Sequence, residues 1–170
     1  MTTTDTDAGC QQALFQLSNA RDTTGYRGQT VCKITGVTYR QLDYWTRSGL
    51  ITASITAATG YGSKRLYAFR DLLEVKIITK LLDVGLSLQK VRSAIEQLRV
   101  LGIEELSTAT LFCDGVSVYH CRSAEEITDL LAGGQGVFGI AVPGLVSQMS
   151  PTISKLPMEK RAHQNYTHVA

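Results

Sequence analysis

The segment from Gly36 to Leu50 constrains the fold of this 170-residue chain more than any other part of the sequence. A short helix is predicted over residues 30–35, and the Gly-Val-Thr run that follows it is typical of a turn. Thr38 is a favourable N-cap residue, and Gln41, three positions later, completes a capping box. The second helix then continues to Gly49, which is suited to end it. Two short helices joined by a tight turn indicate a helix-turn-helix.

The predicted second helix has two different faces. Helical spacing turns Leu42, and with it Trp45 or Thr46, toward a core. The outward positions carry aromatic and charged side chains, which are Tyr39, Arg40, Asp43, Tyr44 and Arg47. An apolar face opposite a polar one indicates a helix that packs on one side and presents the other to solvent or to a partner.

A two-stranded ribbon and two further helices are predicted after the helix-turn-helix. β-Branched residues flank a glycine-rich tip within residues 52–67, which is typical of a ribbon with a flexible loop. Lys64 and Arg65 stand just after that tip. Apolar residues at helical spacing predict a third helix over residues 71–82 and a fourth that Ser87 caps. Both apolar stripes are expected to face a core.

The sequence predicts a small α/β unit after a boundary near residues 102–108. A β-hairpin is predicted over residues 110–121, with Asp114-Gly115 as its two-residue turn. Three further elements are predicted after the hairpin: a helix with a capping box at residues 123–126, a buried strand over 137–142 and a helix over 145–156.

These elements together predict an α+β fold. A winged helix-turn-helix is expected over residues 26–101, followed by a small β-β-α-β-α domain over residues 108–157. A chain of 170 residues can bury one good core or two small ones, so a two-domain layout is possible. Residues 1–25 and 158–170 are polar and are predicted to be flexible tails.

Basic residues are concentrated in one third of the chain. Eight of its 17 lysines and arginines lie between residues 21 and 70, where the acids are Asp22 and Asp43. Residues 104–142 instead contain six acidic residues and one basic residue, and the net charge of the whole chain is only +2. A concentrated positive field at one end is expected where that part meets a polyanion. The acidic part cannot bind DNA favourably and is free to bind something else.

Composition and targeting signals predict a cytoplasmic protein. No apolar run approaches the roughly 20 residues of a membrane span, and residues 1–9 lack the basic-then-apolar pattern of a secretory signal. Four cysteines show neither C-x-x-C pairing nor zinc-site spacing, and these are Cys10, Cys32, Cys113 and Cys121. We therefore expect free thiols, no metal, no cofactor and no membrane partner.

The residues from Gly36 to Leu50, together with Arg65-Leu-Tyr67 and Asp71-Leu72, resemble the DNA-binding domain of MerR-type transcription regulators. The resemblance covers residues 26–101, with the elements in the family's order. Residues 130–142 also look like the FtsR-like branch, in which a compact domain takes the place of a long dimerisation coiled coil. The resemblance implies a homodimer that distorts promoter DNA to influence RNA polymerase, and the branch implies cell-division genes as targets.

The resemblance also implies which residues touch DNA, namely Arg40 and Tyr44, with Arg65 holding a phosphate. Arg40 and Tyr44 are four positions apart and share a helix face; a guanidinium can read guanine or grip phosphate, and a tyrosine hydroxyl can donate to phosphate. Trp45 and Tyr67 fit packing roles better than DNA contact. The full set of candidate DNA-binding residues is Thr38, Tyr39, Arg40, Asp43, Tyr44, Arg47, Lys64, Arg65 and Tyr67.

Asp43 departs from the family pattern, because many members carry an arginine at that position. A carboxylate facing DNA repels phosphate, so Asp43 either accepts a hydrogen bond from cytosine or orients Arg40 or Arg47. The target sequence is therefore predicted to differ from that of other members, and Asp43 is expected to influence sequence preference.

Metal, nucleotide and enzyme chemistry are disfavoured. Cys113 and Cys121 are predicted on opposite faces of the hairpin, so they cannot share a metal ion within it. Residues 134–139 match G-x-G-x-x-G but follow a helix and enter a strand, which is the reverse of a dinucleotide-binding context. A helix C-cap and tight turn is the favoured interpretation. The sequence contains no P-loop, no H-E-x-x-H and no convincing Ser/His/Asp order, so an enzyme is not predicted.

Two hypotheses for the C-terminal part remain open. In the first, it supplies the contact of a dimeric transcription factor, whose recognition helices reach successive major grooves at inverted half-sites. In the second, it binds a small molecule or protein effector and uses the DNA-binding domain as its output. Dimer surfaces and ligand pockets both present apolar residues, so the sequence does not separate these two hypotheses.

Overall fold

The fold is that of a computed structural model, which describes residues 24–57, 64–134 and 136–160. The predicted ribbon tip at residues 60–63 and most of both predicted tails lie outside the described residues. The elements in chain order are β1 (Thr24–Arg27), α1 (Gly28–Thr35), α2 (Tyr39–Arg47), β2 (Leu66–Tyr67), α3 (Phe69–Asp83), α4 (Leu88–Leu98), α5 (Ile103–Thr108), β3 (Thr110–Cys113), β4 (Val118–Cys121), α6 (Ala124–Ala132), β5 (Phe138–Ala141), α7 (Val142–Ile153) and β6 (Glu159–Lys160).

Helices α1 and α2 form the predicted helix-turn-helix. Gly36 ends α1 with a φ of 83°, a left-handed conformation that glycine adopts without the steric cost a side chain would bring. The predicted capping box opens α2: the Thr38 hydroxyl accepts from the Gln41 backbone N–H at 3.2 Å, and the Gln41 side chain accepts from the Thr38 N–H at 3.0 Å. Leu42 and Trp45 are buried; the helical spacing predicted Leu42 and left Trp45 and Thr46 as alternatives.

A three-stranded sheet in the order β2-β1-β6 lies beside the helix-turn-helix. Tyr26 pairs with Tyr67 in β2, and Thr24 pairs with Lys160 in β6. This corrects the predicted limits of both flexible tails, since residues 24–25 and 159–160 are strands. The sequence gives little sign of β6, because the strand has only two residues and both are charged; besides its backbone pairing with β1, the Glu159 carboxylate forms an ion pair with Arg27.

The predicted ribbon is described only at its base. Thr56 and Leu66 form an antiparallel bridge, in which the Leu66 N–H donates to the Thr56 carbonyl at 3.0 Å. Leu66 also belongs to β2, which pairs with β1, so the ribbon is anchored to the three-stranded sheet. The segment that would carry the rest of the ribbon, residues 58–63, lies outside the described part of the chain.

One hydrophobic core extends from the helix-turn-helix to the C-terminal elements. Helix α7 packs against α1, α3 and α5. It buries five side chains in the same cluster as Leu42, Leu72 and Ile78, and these five are Val142, Leu145, Val146, Met149 and Ile153. The division into two domains stays a prediction, but the structure joins the parts through a common core. The sequence of a short apolar segment does not indicate which other elements it will pack against.

The C-terminal elements follow the predicted order β-β-α-β-α, with two differences. The hairpin pairs Cys113 with Val118, so its loop has four residues and not the predicted two. The Asp114 carboxylate explains this, because one of its oxygens accepts from the N–H groups of Val116 and Ser117 at 2.7 Å each. Helix α5 was not predicted, since only Leu106 of its six residues is buried.

Strand β5 is an edge strand and not the buried strand that the sequence predicted. The sheet order is β4-β3-β5, and Ile140 is the only buried residue of β5. Helix α6 packs against β4 and, within the described chain, buries none of its residues fully. Gly134 follows it with a φ of 73°, which agrees with the predicted helix stop.

Candidate nucleic-acid interface

The outer face of α2 carries most of the candidate residues. Tyr39 and Tyr44 are 60% and 57% exposed, and Arg40 and Arg47 are exposed as well. The helix is held from its opposite side, where Leu42 and Trp45 are buried. The structure therefore presents aromatic and basic side chains to solvent from a helix whose position is fixed by packing.

Thr38 and Lys64 flank this face in different roles. The Thr38 hydroxyl is occupied by the capping box, because it also donates to the Gln41 side chain at 2.8 Å. Its local role is to start α2. Lys64 is exposed and lies next to Arg65 at the base of the predicted ribbon, so its ammonium is open to a phosphate.

Asp43 joins α2 to the chain segment before β2. One carboxylate oxygen accepts from Arg65 Nη1 at 2.6 Å, and the other lies 3.5 Å from Arg47 Nη1. The hydrogen bond from Arg65 is the main reason that the pKa of Asp43 lies below its ordinary value, so this carboxyl stays ionised at neutral pH. The pairing with Arg47 is one of the alternatives that the sequence left open for Asp43, and the pairing with Arg65, 22 positions away, is one that the sequence did not suggest.

Tyr67 is buried and does not face the candidate interface. Its hydroxyl forms a 2.9 Å hydrogen bond with the Thr46 hydroxyl on α2. Burial raises the pKa of Tyr67 above its ordinary value. Tyr67 is only 1% exposed and ties β2 to α2, which agrees with the packing role that the sequence favoured for this candidate residue over DNA contact.

Asp71 holds together the two ends of the segment that contains the predicted ribbon. A single oxygen of its carboxyl, Oδ2, accepts from the Ser54 N–H at 2.9 Å, the Ser54 hydroxyl at 2.7 Å and the Ala68 N–H at 2.8 Å. Asp71 is buried, and desolvation raises its pKa to about 6. Both ends of the segment from Ser54 to Ala68 are thus fixed at one atom on α3.

Two arginines hold the C-terminal end of α2. Arg92 on α4 donates to the Ser48 carbonyl at 2.9 Å, and Arg99 donates to the Leu50 carbonyl at 2.8 Å. Arg99 also pairs with the buried Glu74 at 3.5 Å. The Ser48 carbonyl is one that the end of α2 leaves without a helical partner, whereas the Leu50 carbonyl lies in the turn that follows the helix. Helix α2 is therefore held at both of its ends, by the capping box at the first and by these arginines at the second.

Known proteins with similar sequences identify the family. A family model described as MerR HTH family regulatory protein matches residues 26–98. An uncharacterized HTH-type transcriptional regulator of Mycobacterium bovis is 50% identical over 151 residues, which are 88% of this chain and 67% of the relative. Two HTH-type regulators of Mycobacterium tuberculosis strains match with the same identity and coverage. The chain belongs to the MerR family.

As a MerR-family member the chain is a DNA-binding transcriptional regulator and not an enzyme. The matched residues 26–98 contain α1, α2 and the segment up to α4, so the family match covers the whole candidate interface. None of the helices within the described ranges is long and apolar enough to cross a membrane. The same ranges hold no cluster of three or more His, Cys, Asp or Glu side chains arranged for a metal ion.

Sequence reasoning missed several residues that hold α2 and the segment before α3 in place. Asp71 carries a local signal that was not used: an acid at the third helical position often accepts from the N-cap N–H, as it does here from Ala68. Arg92 and Arg99 gave no local signal, because their acceptors at Ser48 and Leu50 are more than 40 positions away. Thr46 was considered only as a core position.

Proposed function

We propose that this regulator binds specific double-stranded DNA through the outer face of α2, with Arg40 and Tyr44 as its principal contacts. The observation that carries the proposal is that both side chains are exposed on one face of a helix that is buried on the other side. An arginine in the major groove reads guanine through two hydrogen bonds, and a tyrosine hydroxyl positions the helix on a phosphate. Lys64 and Arg65, at the base of a wing, would add phosphate contacts.

Arg40→Ala is expected to lose sequence preference. A bidentate arginine–guanine contact contributes about 1–3 kcal/mol of discrimination, so the ratio of specific to nonspecific affinity should fall by a factor between roughly 5 and 150. The measurement is selection of fragments from a genomic DNA pool, followed by titration of the best fragment and a scrambled fragment over a salt series.

Arg122→Ala is the matched control, because it removes the same charge from an exposed arginine that pairs with Glu105 outside the helix-turn-helix. This variant should keep the preference of the unmodified chain. Equal discrimination by Arg40→Ala and the unmodified protein would show that another surface reads the sequence.

We further propose that the regulator acts as a homodimer joined through its C-terminal elements. Leu131 on α6 and Phe138 on β5 are 45% and 42% exposed, and α6 has little packing of its own. A second copy would cover these side chains, and two-fold symmetry would place recognition helices at inverted half-sites separated by whole helical turns. Distortion of promoter DNA and contact with RNA polymerase follow from the MerR-type resemblance, and control of cell-division genes follows from the FtsR-like branch; all three belong to the same proposal.

Sedimentation of the purified protein tests the dimer. A mass of two chains is expected, and Leu131→Asp with Phe138→Asp should shift it to one chain, because buried carboxylates oppose association. The single exchange Glu104→Asp, on the exposed side of α5, should leave the dimer intact. A single-chain mass for the unmodified protein at micromolar concentration would contradict the dimer and favour an effector-binding role for the same elements.

A further inference from the structure

We infer that Asp43 determines DNA-binding specificity by acting through Arg65 and Arg47: it occupies these two arginines and so limits their binding to phosphates of any sequence. The inference rests on the proposed contact of α2 with DNA. Asp43 is thus a positioning residue, which need not touch a base itself.

The geometry places one carboxylate between two arginines at the edge of the recognition face. Both oxygens are engaged, one with Arg65 at 2.6 Å and the other near Arg47 at 3.5 Å. The Arg65 and Asp43 side chains are only 24% and 31% exposed, so their bond is shielded from water in part. A charge-assisted bond of this length is among the stronger side-chain interactions.

The charges of this cluster determine how strongly α2 attracts DNA of arbitrary sequence. Two arginines without the acid would present two free positive charges, whereas the cluster with Asp43 presents one. Nonspecific affinity depends on the number of phosphates that basic groups neutralise. Removing the acid strengthens a nonspecific complex more than a correct one, because the base contacts of Arg40 fix the register of α2 at a correct site and leave the freed arginines fewer new phosphate contacts there. Specificity is the difference between the two affinities, so weaker background binding increases it.

The same bond fixes Arg65 relative to the residues that read bases. Arg65 follows the predicted ribbon and Asp43 lies on α2, so the ion pair joins the two parts of the interface. The hydrogen bond between Thr46 and Tyr67 joins them a second time and would remain if Asp43 were changed. Substitution at Asp43 is therefore expected to release the arginines without unfolding the interface.

Asp43→Asn tests this inference, because asparagine keeps the size of the side chain and removes its charge. Nonspecific affinity for a scrambled duplex should rise roughly fivefold at 0.15 M salt, the effect of about one additional phosphate contact, and the salt dependence should steepen by about one ion. Affinity for the selected site should rise less, so the ratio of the two affinities should fall. Asp43→Glu keeps the charge and should retain most of the specificity.

Asp83→Asn is the matched control, since it makes the same change of net charge at an exposed position at the end of α3, outside α2 and outside the elements proposed for the dimer. It should leave the affinity ratio unchanged. An Arg65→Gln background should reduce the effect of Asp43→Asn, because the two side chains act as a pair. A melting curve for each variant establishes that it is folded before its affinity is compared.

The outcomes separate the inference from the proposed function. If the unmodified protein shows no sequence preference, the proposed function fails. If it discriminates and Asp43→Asn keeps the same ratio of affinities, only the inference fails. If Asp43→Asn instead loses affinity only for sites that contain one particular base pair, Asp43 reads that base directly, and the inference is wrong.

Discussion

A chain that ends at residue 137 is expected to lose its cooperative fold. The truncation removes α7, whose five buried side chains pack in the same core as α1 and α3. Burial of one large aliphatic side chain contributes about 1.5–3 kcal/mol. Five of them together therefore approach the whole free energy of unfolding of a typical domain, about 5–15 kcal/mol. The helix-turn-helix should accordingly depend on residues far outside the segment that the family model matches.

Urea unfolding followed by circular dichroism measures this effect. A chain that ends at residue 160 keeps every described element and serves as the control, with one cooperative transition expected. Met149→Ala in the full chain should be a milder version of the truncation and lower the free energy of unfolding by about 3 kcal/mol, because Met149 is fully buried. A sharp, unshifted transition in the shortest chain would instead support the two separate domains that the sequence predicted.

Asp71→Ala is expected to lower the free energy of unfolding by about 3 kcal/mol, since it leaves three hydrogen-bond donors without their common acceptor. Two of these donors are the N–H groups of Ser54 and Ala68, at the two ends of the segment that precedes α3. DNA affinity should fall as well, because the predicted wing would lose its fixed ends. Asp71→Asn keeps an oxygen at the same place and should retain most of the stability.

The pH dependence of Asp71 gives a second readout with a definite sign. Burial raises its folded-state pKa to about 6, above the ordinary value of 3.8 that applies in the unfolded chain. Its contribution to stability is therefore greatest below pH 3.8 and is lost as the pH rises through about 6. Unfolding measured from pH 4 to pH 8 should show the unmodified protein losing stability relative to Asp71→Asn. A constant difference across this range would contradict the raised pKa.

Features specified by neighbouring residues were predictable from the sequence. The capping box of Thr38 and Gln41 lies within one helical turn, and Ser87 caps α4 in the same local way. The burial of Leu42 followed from helical periodicity, which left Trp45 and Thr46 as alternatives for the second buried position. The strand register confirms that Cys113 and Cys121 lie on opposite faces of the hairpin. The turn is longer than predicted by two residues, an even number, and so the alternation of side chains between the two faces is unchanged.

Features that depend on distant parts of the chain were not predictable. Nothing near Asp43 indicates Arg65 as its partner, because the pairing depends on how the segment before β2 returns to α2. The burial of β5 was predicted from its apolar residues alone, yet burial requires a partner on each face, and β5 lies at the edge of its sheet. Joining of α7 to the core of the helix-turn-helix likewise depends on tertiary packing, which periodicity does not encode.

The pairing of Thr24 with Lys160 brings the two ends of the described chain together. Residues that precede Thr24 and residues that follow Lys160 are therefore tethered at neighbouring points on one sheet. Strand β1 lies between β6 and β2 in that sheet, so the pairing of the two ends of the described chain directly supports the strand that anchors the predicted ribbon.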